Sequence, residues 1–213
     1  MKLASHNSMS FLSPHNWWQK LIAFTAECQS LDIQSQYEYG VRLFDIRLRR
    51  TCFSCHTSIY DTYSAHGLML YSSMTVADVL FFLNEKSTDK DPVYVQLNLE
   101  NMKSEDDRDF LWFKNLFDEC VQIYPNIRFC GGYAKHPWRK IVDCADPTIT
   151  QRNWEFLNFT YMEGTKWDKI KQFFKNIFHF SPKYWAKNDN QKYKEQGTND
   201  EFLMLDYVQY GKA

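Results

Sequence analysis

Val41-Arg42-Leu43-Phe44-Asp45-Ile46-Arg47-Leu48 is the stretch on which the fold turns. Its spacing predicts a β-strand: Val41, Leu43 and Ile46 are expected to carry the packing, with the charges interleaved. Gly40 precedes it and stops a helical turn read over Ile33 to Tyr39, since a glycine readily takes the conformation that ends a helix. Further upstream, Leu3-Ala4-Ser5 reads as a short strand running into a polar turn, and Asn16 to Cys28 reads as a helix.

Downstream the same alternation continues. Tyr63 to Ala65 is a candidate strand, and Thr75 with Asp78 forms a capping-box variant opening a helix through Leu83. Pro92 leads into Val93 to Leu99, a strand of period two. Ser104 and the acidic Glu105, Asp106 and Asp107 suit the start of a helix that runs to Tyr124 and stops at Pro125. Ile127 to Cys130 and Ile141 to Cys144 are short strands. Thr165 caps a helix carrying Trp167, Ile170, Phe174 and Phe178. Ser181 to Asp200 is polar and is expected to be a loop, and Phe202 to Leu205 is the last strand, running into Asp206. Strands alternating with helices argue for a parallel sheet. Seven or eight strand candidates in 213 residues allow an α/β, (β/α) TIM-type barrel, distorted or incompletely closed, over one domain, residues 1–213.

Composition narrows the function classes. Hydrophobic residues make up 44% of the chain, enough for a sizeable core, and global disorder is not expected. The formal net charge of -1 gives no general attraction to nucleic acid or to an anionic membrane. Any lipid binding has to come from local features. No run of apolar residues is long enough for a transmembrane helix, and the first residues lack the apolar core of a signal peptide. The expected setting is cytoplasmic or peripheral to a membrane, and secreted only if a leader has been removed. Of the six cysteines, Cys52 and Cys55, followed by His56, resemble half a metal site; no second pair follows, and the plain reading is a loop with free thiols or a local disulfide.

Barrel enzymes gather their chemistry at the C-terminal ends of strands. The polar residues there are His6 and Asn7, Asp45 and Arg47, His66, Glu100 and Asp206. Taken singly, each has an ordinary structural explanation as a surface histidine, an ion pair or a turn residue. Taken together they form a set suited to phosphodiester cleavage. That reaction needs a base for the attacking hydroxyl, an acid for the leaving oxygen and a fixed positive charge for the phosphate. Histidine serves proton transfer near neutral pH, and the arginine fork matches phosphate oxygens.

At this point the residues carry a resemblance. Ser5-His6-Asn7-Ser8, Gly40 through Arg47 and Ala65-His66-Gly67 resemble the catalytic X region of phosphatidylinositol-specific phospholipase C. Leu70 to Leu80 and Leu205-Asp206-Tyr207-Val208 are similar to further parts of it, and from about residue 102 to 200 only the rhythm of elements matches. The resemblance implies a distorted barrel in which His6 is general base, His66 general acid, Arg47 the phosphate-binding charge, and Asp206 and Asp45 the partners of His6 and Arg47. Arg47 stands where calcium-dependent members place an acidic ligand, which implies the metal-free bacterial type. Asn7 and Glu100 resemble calcium ligands and keep calcium as the alternative. Asn7, Glu100, Arg139 and Asp143, with Asp146, are candidate head-group contacts. Trp17 and Trp18 are candidate membrane contacts, with packing into the barrel as the alternative. The implied substrate is a phospholipid at a membrane surface, with no nucleic acid and no obligate protein partner. Two rival readings remain: a metal-dependent glycerophosphodiester or sphingomyelinase D-like enzyme, whose acidic pair Arg47 breaks, and a non-catalytic lipid or inositol-phosphate binding module.

Overall fold

A computed structural model of the chain describes residues 2–49, 58–100, 108–133, 149–151, 164–177, 179, 181–196 and 202–211. Its strands are β1 (Lys2–Ser5), β2 (Val41–Leu48), β3 (Ser64–His66), β4 (Met69–Tyr71), β5 (Tyr94–Leu99), β6 (Arg128–Tyr133), β7 (Ile149–Gln151) and β8 (Phe202–Leu205). The helices are α1 (Trp17–Ile22), α2 (Ile33–Glu38), α3 (Val76–Lys86), α4 (Arg108–Ile123), α5 (Lys166–Ile177) and α6 (Pro182–Gln196). Six strands pair in parallel in the order β6-β5-β2-β1-β8-β7. The β3–β4 hairpin attaches antiparallel at the C-terminal end of β2, through Leu48 and Ser64. Among the described residues β6 and β7 do not pair with each other, and the architecture is an α/β barrel that is not closed.

The period of two along each strand sorts side chains to two faces. On β2, Phe44, Ile46 and Leu48 join the large cluster that includes Val79, Leu80 and Leu83 of α3 and Phe113, Leu116 and Phe117 of α4. Val95, Leu97 and Leu99 of β5 do the same, as do Leu203 and Leu205 of β8. The opposite face begins with an apolar layer of Ala4, Leu43, Phe202 and Met204, against which Tyr94 packs. Leu43 therefore packs away from Ile46, because the two differ in parity. Continuing by twos from this layer gives His6 after Ala4, Asp45 and Arg47 after Leu43, Gln96, Asn98 and Glu100 after Tyr94, and Asp206 after Met204. The polar residues thus sit above an apolar plug, at the C-terminal ends of parallel strands.

Local signals explain most element boundaries. The Thr75 hydroxyl accepts from the Asp78 N–H at 3.2 Å while Asp78 accepts from the Thr75 N–H at 2.9 Å, the reciprocal cap the sequence predicts. Thr165 and Asp168 repeat the arrangement at α5. Two expectations are corrected. The helix read over Asn16 to Cys28 ends at Ile22, followed by a single 3-10 turn over Ala23–Thr25, where the Thr25 hydroxyl donates to the Ile22 carbonyl at 2.7 Å. The stretch read as a loop, Ser181 to Asp200, contains the 15-residue α6. The hairpin strand β4 and the short β7 were not anticipated. The expected helix start at Ser104 to Asp107 and the expected strand Ile141 to Cys144 lie outside the described residues.

Candidate active site

β1 delivers His6, and β8, its parallel neighbour, delivers Asp206. His6 Nδ1 lies 2.6 Å from Asp206 Oδ1. On the other side of the ring, His6 Nε2 lies 2.7 Å from Arg47 Nη2. A guanidinium only donates, so Nε2 accepts. His6 is therefore the neutral tautomer that carries its proton on Nδ1, directed at Asp206. Its basic nitrogen faces the middle of the site.

Arg47 is held on all sides. Its Nε donates to Asp45 Oδ2 at 2.9 Å and its Nη1 to Glu100 Oε1 at 3.0 Å. Asp45 also accepts from the Asn7 N–H at 3.0 Å and from Asn98 Nδ2. Burial alone would push the Asp45 carboxyl up. Arg47, His6 and the Asn7 N–H outweigh it and hold Asp45 below the usual carboxylate range. Burial would likewise weaken the charge on Arg47, but the Asp45 and Glu100 carboxylates hold the guanidinium above its ordinary value. Arg47 is a fixed cation.

His66 comes from the far side, at the turn of the β3–β4 hairpin. Gly67 follows it with φ +56°, in the left-handed region that a tight two-residue turn requires. The His66 ring centroid is 5.7 Å from that of His6, with the planes at 86°. His66 Nδ1 contacts the Ala26 carbonyl at 3.1 Å. Burial first, then the Arg47 cation and the neighbouring His6 ring, push His66 down to about 3, so its imidazole is neutral.

Of the other predicted residues, Asn7 is fully buried with φ +44°, and among the described residues neither side-chain polar atom has a hydrogen-bond partner. Glu100 is at the site as a partner of Arg47. Trp17 and Trp18 are 75% and 41% exposed, not packed into the barrel. Arg139, Asp143 and Asp146 lie outside the described residues, as do Cys52 and Cys55.

Four neighbours escaped the sequence reading. Asn98 reaches Asp45, and its place two residues before Glu100 on an alternating strand was the available signal. Arg49 follows β2, and its buried Nε and Nη2 have no hydrogen-bond partner among the described residues. Gln29 spans the carbonyls of His6 and Leu205 at 3.1 and 2.8 Å and ties the ends of β1 and β8 together. Cys28 is 1% exposed, and its thiol donates to the Ala26 carbonyl at 3.5 Å; burial and then the Asp206 charge push it well above the ordinary thiol value. Cys28 and Gln29 sit on an irregular segment, where periodicity carries no signal. Two imidazoles, a guanidinium and three carboxylates thus converge, a set able to bind an anion and move protons on either side of it.

Solved structures share this arrangement of elements. The phosphatidylinositol-specific phospholipase C from Listeria monocytogenes is 14% identical, with a TM-score of 0.55 over 98% of this chain and 89% of that one. A variant of the phosphatidylinositol-specific phospholipase C from Staphylococcus aureus is 15% identical, with a TM-score of 0.57 over 99% of this chain and 86% of its own. A second Staphylococcus aureus structure, concerned with modulation of that enzyme's membrane binding, gives 15% identity and a TM-score of 0.56 over 100% and 87%. No family model matches the chain, and no curated protein does. At these identities the likeness establishes the fold.

Proposed function

We propose that the chain is a phosphodiesterase that cleaves phosphatidylinositol-type lipids by paired histidine acid–base catalysis, without a metal. The observation that carries the reading is the pair of imidazoles 5.7 Å apart, with a guanidinium 2.7 Å from one of them. A lipid phosphate takes the Nη2 donor that His6 now uses. His6 Nε2 is then free to accept the proton of the inositol 2-hydroxyl, which attacks phosphorus. Asp206 stabilises the imidazolium that forms. Arg47, fixed by Asp45 and Glu100, holds a non-bridging oxygen. The phosphate's negative charge raises the affinity of His66 for a proton, and His66 passes that proton to the departing diacylglycerol oxygen. The first product is a cyclic inositol phosphate.

The donor set weighs against calcium as the catalytic ion. Asp45 and Glu100, the oxygen donors such an ion would share, both grip Arg47. Released water-soluble inositol phosphate from labelled phosphatidylinositol, with and without chelator, tests the reading. Activity is expected to survive chelation and to fall by about 10²–10⁴-fold in His6→Ala and in His66→Ala. Activity abolished by chelation points to the metal-dependent diesterases. Vesicle or inositol phosphate binding without turnover points to a binding module.

A further inference from the structure

The group of His6, Cys28 and His66 has no part in the reaction above as a unit, yet its chemistry is specific. One donor atom from each of the three lies within 4.8 Å of the others, and among the described residues no other such group is found. Two imidazoles and a thiol match a borderline-soft divalent ion such as Zn2+, not the oxygen-seeking calcium or magnesium. The surroundings also resemble a metal site. Histidine ligands are usually oriented by a carboxylate or backbone carbonyl on the ring nitrogen away from the ion. Here Asp206 Oδ1 is on Nδ1 of His6 at 2.6 Å, and the Ala26 carbonyl is on Nδ1 of His66 at 3.1 Å. The thiol of Cys28 donates to the same Ala26 carbonyl at 3.5 Å. Around the three donors stand the carboxylates of Asp45, Asp206 and Glu100, against the cations of Arg47 and, beside Glu100, Arg49. The balance favours a divalent cation.

From this placement we infer that His6, His66 and Cys28 capture Zn2+ and that the captured ion switches the site off. The inference rests on the proposed function for its consequence but not for the binding itself. The ion takes the two Nε2 atoms and the Cys28 sulfur, and the thiol proton leaves to solvent. Arg47 Nη2 loses His6 while its bonds to Asp45 and Glu100 remain. Both proton-transfer groups are then metal ligands and cannot serve as base or acid. The fourth position is left to water or a phosphate oxygen.

The test measures binding without substrate. Metal-freed protein is titrated with Co2+, and a thiolate-to-cobalt charge-transfer band is expected at one equivalent. Calorimetry with Zn2+ is expected to show the same stoichiometry. Cys28→Ser should lose the band and weaken Zn2+ binding by at least ~10-fold, with circular dichroism confirming the fold. His66→Gln, a second route should Cys28→Ser misfold, should keep a cysteine band but weaken binding to a similar degree. Cys52→Ser with Cys55→Ser should leave the band in place. A wild-type protein without the band, or a band that persists in Cys28→Ser or vanishes with Cys52 and Cys55, overturns the inference. A protein that binds Zn2+ as described but does not release inositol phosphate keeps the metal site and loses the proposed function. An active protein whose turnover is unmoved by saturating Zn2+ does the reverse.

Discussion

His66 is the site residue whose protonation departs furthest from neutral-pH proton transfer, because its surroundings oppose its charged form. It faces the guanidinium of Arg47, the ring of His6 and, more distantly, the Asp45 carboxylate, with the Ala26 carbonyl on Nδ1. Burial, the Arg47 cation and the neighbouring His6 ring hold its folded value near 3, against an ordinary value of about 6.5. Between those values the unfolded chain binds a proton that the folded chain refuses. The sign follows: stability is lost as pH falls from about 6.5 toward 3, by at most ~1.4 kcal/mol per pH unit from this one group. Urea unfolding of the wild type at falling pH, in the presence of chelator, should therefore be steeper than that of His66→Gln. Parallel curves for the two proteins would show that His66 titrates normally and that its surroundings are less confining than described. The same surroundings bear on the proposed role, since an anion between the two rings would offset the bias against its charge.

Elements divide into those whose pattern reports their packing and those whose pattern conceals it. β2 was readable because its two faces meet different environments, and the alternation of Phe44, Ile46 and Leu48 with Asp45 and Arg47 records both. His6, Arg47, His66 and Asp206 were readable for the same reason, as polar residues ending apolar strands. α6 was not, because its inward stripe is Pro182, Ala186, Asn190 and Lys194, at a spacing of four but half polar. Two of those four residues reach main-chain carbonyls instead of an apolar face, so only a weak hydrophobic period marks the helix. Asn190 Nδ2 donates to the carbonyls of Asp206 and Tyr207 at 2.9 and 3.0 Å, and Lys194 Nζ donates to those of Val208 and Gly211 at 2.9 and 3.0 Å. The helix thus fixes the segment that presents the Asp206 carboxylate to His6. Asn190→Ala should cost about 1–3 kcal/mol in urea unfolding, because two buried acceptors lose their donor. Asn190→Asp has nearly the same shape but offers those carbonyls no donor, and it should be at least as unstable. An Asn190→Asp protein as stable as wild type would mean that the side chain only fills space.

At the scale of the whole molecule, the near-neutral charge leaves membrane contact to shape and apolar surface. The exposed apolar residues of the first helical segment, Trp17, Trp18, Leu21 and Phe24, stand beside the hairpin that carries His66. The tie is direct: Gln19 Nε2 donates to the carbonyl of Leu68 at 2.7 Å, and Leu68 is itself exposed at the hairpin turn. Among the described residues no helix is long and apolar enough to cross a membrane. A short helix with two exposed indoles suits the interface instead, with its rings at headgroup depth. Such a contact would bring the hairpin, and with it His66, to the surface from which a lipid head group is drawn. The double substitution Trp17→Ala, Trp18→Ala should therefore weaken partitioning to phosphatidylcholine vesicles by at least ~10-fold, since each indole removed from the interface forfeits apolar burial worth more than about 1 kcal/mol. Because the contact is apolar, raising the salt several-fold should leave wild-type partitioning nearly unchanged. Turnover of phosphatidylinositol in vesicles should fall with partitioning, and hydrolysis of a soluble cyclic inositol phosphate should fall far less. Equal partitioning of the two proteins, or equal losses on vesicle and soluble substrates, would remove α1 from the membrane face.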